Sequence, residues 1–428
     1  DNGLVLTVNG VTGTTTTDNS RVALGLFKGN GTHDGNAAAK KINTFRIGVL
    51  DGYSFSQGSE STDVTINEAG ATPNRGSKRF NDSLPPAEWS FGTYVRPFKH
   101  GSQSWRESGD MDMVENILWA SLAGKDICDG SETGDSNSAV TLTSSSGIVD
   151  FAGSDHHELL KLSIFFALEN TTYRLNEAQV NQCEIDFSID GIAQLTWSGN
   201  ATTIDQVSTA IEDPSKTLHA KPSGTDTSVT TATYVEGYNY ADSTGPDDAD
   251  YLRNKLSTLT LVAAAQGGGA TSGGLDARTY DINITGGSIT IANNVTYVTP
   301  ETLGIIDKPI GSFTGSRQIT GNLTCYLDTK SNGSNQLLTD LAGATDLVTN
   351  VFDMSLFMGG ASTATPVVEF DIPKAHMTVP TLETADLIST SIEFAAHGSD
   401  LLTGDEMTVV YKGLTTHSDA QYGTDYTV

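Results

Sequence analysis

Short runs in which apolar and polar residues alternate dominate the chain, and that period predicts half-buried strands rather than helices. STDVTI (61–66) and WSFGTYV (89–95) alternate in this way on either side of a polar stretch. The stretch carries Arg75, Lys78, Arg79, Asn81 and Asp82 and ends at Pro85-Pro86, so it is expected to be a long loop. A loop of that length flanked by aromatic strands is expected to dock on another protein surface rather than to be disordered. One helix is expected over GDMDMVENILWASLAG (109–124), where Met113, Ile117 and Leu118 share a face and Gly124 is a natural stop. Strand patterns return in CEIDFSIDGIAQLTWSG, and Trp89 and Trp197 on such strands are expected in a core.

Comparison of the two halves reveals a repeat. ILWASLAG (117–124) has a counterpart in QLLTDLAG (336–343), and residues 179–200 align without gaps on 376–397. Val180 then coincides with Met377, Ile185 with Leu382, Leu195 with Ile392 and Trp197 with Phe394. The frame of the basic stretch recurs at 295–327, with Lys308 and Arg317 as its cations. From Thr203 to Asp250 the chain is rich in Ser, Thr, Pro, Gly and Asp, the composition of a tether. The expected organisation is a first domain over 1–204, a linker over 205–248 and a second domain over 249–428. QGGGATSGG is expected at a hairpin tip.

Charge narrows the function classes. The 428 residues include 24 basic and 52 acidic side chains, a net charge of -28, which disfavours gripping nucleic acid. The three cysteines, Cys128, Cys183 and Cys325, have no metal spacing and are expected to be buried free thiols. No run of 18 apolar residues is present, so no membrane span is expected, and no signal peptide is visible at the start.

A search for chemistry finds no nucleophile elbow, zinc-protease helix, phosphate loop or calcium loop. His156-His157 with Asp155 and Glu158 is expected to be a solvated turn, and Asp247, Asp248 and Asp250 an exposed acidic tether rather than a calcium site. The sequence therefore predicts no enzyme, no cofactor and no metal. The basic stretch, with Arg75, Lys78, Arg79, Asn81 and Asp82, is the candidate site for contact between subunits or rings.

TDVTINEAGATPNRGSKRFNDSLPPAEWSFGTY, LRNKLSTLTL, YDINITGGSITIANNVTYVTPE, IGSFTGSRQITGNLTCYLDTKSNGS and VPTLETADLISTSIEF, in this order, resemble the major tail tube proteins of T-five-type siphophages. The resemblance runs from about Ser20 to Asp405; the first 18 residues and GGGATSGG depart from it. It implies a mainly β fold of two tandem tail-tube-type β-sandwich domains, each with one flanking helix, contributing to an inner β-barrel in a ring. It further implies homotrimeric, pseudo-hexameric rings stacked head to tail in the virion tail and assembled in the host cytoplasm. Tape measure, tail terminator and tip proteins are the implied partners, and double-stranded DNA passes through the lumen unbound. The alternative is a secreted β-sandwich adhesin or carbohydrate-binding protein, which would show exposed aromatics and remain monomeric.

Overall fold

The computed structural model describes residues 3–8, 44–65, 72, 76–100, 111–113, 115–124, 140–142, 145–152, 156, 159–168, 171–207, 251–300, 308–379, 381–383, 389–414 and 416–417. The first half contains β1 (Gly3–Val8), β2 (Thr44–Gly48), β3 (Ser54–Ser56), β4 (Glu60–Thr65), β5 (Ser77–Ser83), β6 (Ala87–Tyr94), β7 (Pro97–His100) and β8 (Met111–Met113). Helix α1 (Asn116–Ala123) follows, then β9 (Val140–Leu142), β10 (Gly147–Asp150), β11 (Leu162–Leu168), β12 (Thr171–Ser188), β13 (Gln194–Ala201) and β14 (Thr203–Val207). The second half contains β15 (Thr258–Ala263), β16 (Arg278–Tyr280), β17 (Ile284–Ala292), β18 (Thr296–Val298), β19 (Gly311–Phe313) and β20 (Gln318–Tyr326). After α2 (Ser334–Gly343) come β21 (Phe352–Met358), β22 (Val367–Met377), β23 (Thr381–Glu383), β24 (Ser389–Ala396), β25 (Thr408–Lys412) and β26 (Thr416–His417).

Eight antiparallel strands form one wall that runs through both halves in the order β3, β6, β13, β12, β17, β20, β24, β23. Behind it lie two further layers. In the first half, β2, β1, β11, the start of β12 and β14 pair in that order. In the second, the order is β16, β15, β21, β22, β25, β10, β9. Strands β12 and β22 are long enough to leave the back layer and finish in the wall, which ties the layers covalently.

Alternation explains the wall. Trp89, Phe91, Leu195, Trp197, Cys183, Ile185, Ile289, Ile291, Leu323 and Phe394 face inward, and one hydrophobic core is continuous through both halves. Three glycines on this buried face sit directly opposite aromatic residues: Gly199 opposite Trp89, Gly287 opposite Phe187 and Gly321 opposite Phe394. Each ring covers the backbone that the missing side chain leaves bare. A Cβ at Gly321 would lie 2.5 Å from the Phe394 ring and 2.3 Å from the Ser288 carbonyl oxygen. Gly321→Val is therefore expected to destabilise the fold by about 3 kcal/mol through overpacking, read by denaturant unfolding.

Helix α1 spans only eight residues, fewer than the sequence pattern predicts. Met111 to Met113 instead form a strand against β7, because two methionines spaced by two place both side chains on one buried face of a strand. The helix is buried on all sides: Trp119 meets Trp197 at 5.0 Å between ring centroids, and Ser121 Oγ donates to Leu160 O. The second helix matches the expected 336–343 and buries Leu337 and Leu341. Cys183 and Cys325 are buried free thiols, as expected, whereas Cys128 lies outside the described residues. GGGATSGG occupies the β15–β16 hairpin tip, where Gly267, Gly268, Gly269 and Gly273 take φ of +61 to +83°. Ordered structure extends beyond Thr203 as β14; the rest of the expected tether lies outside the described residues.

The halves interlock. The C-terminal strand β25 pairs with β10, and β26 runs parallel to β7. At this seam the Tyr411 hydroxyl donates to Glu115 Oε1 at 2.8 Å and accepts from Trp119 Nε1 at 2.8 Å. Glu115 is fully buried, and desolvation pushes its carboxyl from 4.5 up to about 7, against the opposing pull of Tyr411 and Arg96. Between those two values the folded chain retains a proton that the unfolded chain has released, so stability falls as pH rises through this window. The loss is about 3 kcal/mol at most, at roughly 1.4 kcal/mol per unit. Glu115→Gln is expected to flatten the pH 5–7 slope of the unfolding free energy; an unchanged slope would contradict the assignment.

Candidate conduit wall and assembly surfaces

The wall has one face packed on the core and one facing out. Register places on the outward face Ser54 and Ser56 of β3, Glu88 and Ser90 of β6, and Gln194, Thr196, Ser198 and Asn200 of β13. The same row continues through Gln182, Glu184 and Asp186 of β12 to Ser288 and Thr290 of β17. Thr320, Asn322 and Thr324 of β20 and Ser389, Ser391 and Glu393 of β24 complete it. Among the described residues this face carries hydroxyls, amides and the carboxylates of Glu88, Glu184, Asp186 and Glu393, with Tyr94, Tyr326, Ala292 and Ala395 among them, and no lysine or arginine occupies it. Such a surface stays hydrated and offers phosphate groups no cation to pair with.

The strands β3 and β23 end the wall, and both are short. At the end where β6 begins and β13 finishes, a ribbon of β4 and β5 stands out from the wall. The expected long loop is thus largely strand. SKRFNDS lacks an apolar alternation because neither face of the ribbon is buried in the chain, so its sequence reads as loop while its backbone pairs with β4. Gln57 clamps the base, donating to Pro85 O and Thr202 O and accepting from the Ile204 N–H.

Arg79 holds Asp63 across the ribbon in a two-pronged pair, Nε to Oδ1 at 2.7 Å and Nη2 to Oδ2 at 2.8 Å. That hydrogen-bonded pairing lowers the Asp63 carboxyl below its ordinary value and raises the Arg79 guanidinium. Asn81 shares this face, opposite Ser61. The other face carries Lys78, whose Nζ lies 4.9 Å over the Phe80 ring, and Asp82, which accepts from Thr62 Oγ1 at 2.5 Å. Val64 and Phe80 share this second face, each 47% exposed. The structure thus separates the candidate residues into a charged-pair face and an apolar-cationic face; Arg75 lies outside the described residues.

The second-half ribbon, β18 and β19, lies differently. Tyr297 Oη donates to Glu177 O and Asn200 O, both at 2.8 Å, and Ser312 Oγ donates to Gln179 Oε1. These bonds fold it onto β12 and β13 of the first half, and burial raises the Tyr297 hydroxyl's pKa. Arg317, expected as a loop cation, is instead largely buried, its side chain 10% exposed. Its Nη2 donates to Gly404 O at 2.8 Å, Phe151 O at 3.2 Å and Glu406 Oε2 at 2.5 Å. Lys308 remains exposed. Among the described residues no group of His, Cys, Asp and Glu could hold a metal ion. Of the expected solvated turn, His156 is exposed, while Asp155, His157 and Glu158 lie outside the described residues, as do Asp247, Asp248 and Asp250.

The profile of the family described as phage tail tube protein matches residues 9–396. The tail tube protein pb6 of Escherichia phage T5 is 38% identical over 368 residues, which cover 86% of this chain and 70% of that protein. A chain of the anti-feeding prophage baseplate aligns over 35% of this chain and 91% of its own length, at 9% identity and a TM-score of 0.25, a likeness that carries no argument. The adhesin alternative finds no support in these matches. Tail tube proteins are structural components of the virion tail, assembled in the host cell, and not enzymes. The chain belongs to the phage tail tube protein family.

Proposed function

We propose that three copies of this chain close a ring whose lumen is lined by the outward face of the eight-stranded wall. The observation that carries this reading is that largely polar, cation-free face on a wall whose end strands, β3 and β23, each pair on one side only among the described residues. Strand order supports a tandem duplication: β3, β6, β13, β12 is followed by β17, β20, β24, β23, and the halves join where β12 pairs with β17. The same junction repeated between copies pairs β23 of one chain with β3 of the next. Closure would remove both edges, the usual remedy for strands that otherwise aggregate.

Eight strands from each of three copies make a barrel of twenty-four. At ~4.8 Å spacing and ~40° tilt its backbone diameter is about 48 Å, wide enough for a DNA duplex. Carboxylates on the lumen repel phosphates within a screening length of ~10 Å, so DNA passes without being held.

The ribbon of β18 and β19 lies on the preceding half of its own chain. By the same geometry the free ribbon of β4 and β5, with Lys78, Arg79, Asn81 and Asp82 and the adjoining Arg75, would lie on the preceding half of a neighbouring chain. Rings then stack head to tail, with a tape measure protein in the lumen during assembly and terminator and tip proteins at the ends. The domain bounds 1–204 and 249–428, joined by a linker over 205–248, belong to the same reading.

Cysteines placed at Ser54 and Thr381, joined by a short bifunctional reagent, test ring closure. The expected product ladder ends at three cross-linked chains; a ladder running to six, or no cross-linking in assembled protein, would overturn the trimer.

A further inference from the structure

The connection from β24 to β25 presents two leucines to solvent on a rigid turn. Leu401 is 100% exposed and Leu402 89%. The corresponding first-half connection, from β13 to β14, is the single residue Thr202, so the turn is an addition confined to the second half. It is not loosely held. Asp405 Oδ1 accepts from the Ser399 N–H and from Thr403 Oγ1, both at 2.6 Å, and the Asp400 N–H donates to Thr403 Oγ1 at 3.1 Å. Gly404, at φ +66°, brings its carbonyl oxygen to Arg317. Exposed leucines on a turn braced in this way form an apolar knob whose ordering cost is already met by the fold.

At the opposite end of the wall, where β12 turns into β13, lies a matching surface. The turn between β12 and β13 presents Ile189 and Ile192 at 42% and 37% exposure. A short helical turn, Asn254–Leu256, packs beside it through Asn254 N–H to Gly191 O and Ala193 N–H to Leu252 O, and adds Leu256 at 57% exposure. Exposed Arg253 and Lys255 flank this patch, outnumbering the one carboxylate of its turn, Asp190, whereas Asp400 and Asp405 flank the leucine knob. Apolar centres with opposite-charge borders, at opposite ends of one wall, make a heterologous pair that does not close on itself.

We propose that Leu401 and Leu402 of one copy seat on the Ile189, Ile192 and Leu256 patch of a second copy in the next ring. This inference rests on the head-to-tail stacking proposed above. In a chain of net charge -28, a local acid-to-base match is what lets the two ends approach.

The full-length chain is concentrated stepwise, and tubes are scored by negative-stain microscopy and sedimentation, rings by mass. Leu401→Ser with Leu402→Ser is expected to leave three-copy rings and their melting temperature unchanged. The concentration at which tubes appear is expected to rise on the order of 100-fold. Arg253→Asp with Lys255→Asp is expected to act similarly, and adding Asp400→Lys to recover part of the loss. Tubes forming from the leucine variant at the unsubstituted concentration overturn the seating and leave the knob to a different protein. A leucine variant that stays as folded single chains also overturns it, because the knob would then act within a ring. Failure of the unsubstituted chain to make tubes at any concentration overturns the tube reading itself.

Discussion

Arg317→Ala is expected to lower the unfolding free energy by about 3 kcal/mol and to raise the concentration needed for tube formation. The guanidinium serves three acceptors from two parts of the chain: Phe151 O after β10, and Gly404 O with Glu406 Oε2 before β25. It also stacks 4.9 Å over the Phe151 ring. Removing it leaves the Glu406 carboxylate without its partner while that side chain remains only 23% exposed. The cost follows from the stranded charge more than from the lost attraction. Arg317→Lys keeps the charge and one donor nitrogen but loses the planar group that stacks on Phe151, and is expected to recover only part of the stability. Denaturant unfolding of both variants checks the order. Equal stability of the alanine variant and the unsubstituted chain would contradict it.

The second large effect concerns the free ribbon. Val64→Ser with Phe80→Ser is expected to leave the fold intact, since both residues are half exposed, yet to abolish ring formation at concentrations where the unsubstituted chain assembles. A two-stranded ribbon is marginal in water by itself. The Arg79–Asp63 pair, the Lys78–Phe80 contact and the Gln57 clamp give it shape, and its apolar face calls for a covering surface. Burying that face on a neighbour is worth about 1.5–3 kcal/mol per side chain. Val64→Ile with Phe80→Leu keeps the face apolar and is the control. Assembly of the serine variant at the usual concentration, by sedimentation velocity, would contradict a docking role.

Much of the wall was legible in the sequence because its alternation is strict: WSFGTYV and QLTWSG each put every second side chain in the core. The helix end at ILWASLA was legible from its unbroken apolar run and the Gly124 stop. What was not legible depends on pairing rather than on pattern. Strand β5 buries nothing within the chain, so SKRFNDS carries no apolar period. Met113 fits a helical face with Ile117 as well as a strand face with Met111, and only the pairing with β7 decides. The insertion of β10 beside β25 joins residues far apart in sequence, which no local signal announces. Arg317 reads as a loop cation because its three acceptors come from Phe151, Gly404 and Glu406. Of the candidate contact residues, the sequence located the protruding segment and its cations, and the structure added the apolar face that gives it something to bury.

The face proposed to line the lumen was hidden for a different reason. Alternation separates the two faces of each strand, but only the register across the wall shows that one face is predominantly polar and, among the described residues, free of cations. Electron cryomicroscopy of assembled tubes, at a resolution that traces side chains, tests this most directly. The expected map has three copies per ring and a twenty-four-stranded barrel with Glu88, Thr196, Glu184, Thr290, Asn322 and Glu393 pointing into the lumen. Rings of six copies, or those side chains pointing to the outside of the tube, would contradict it.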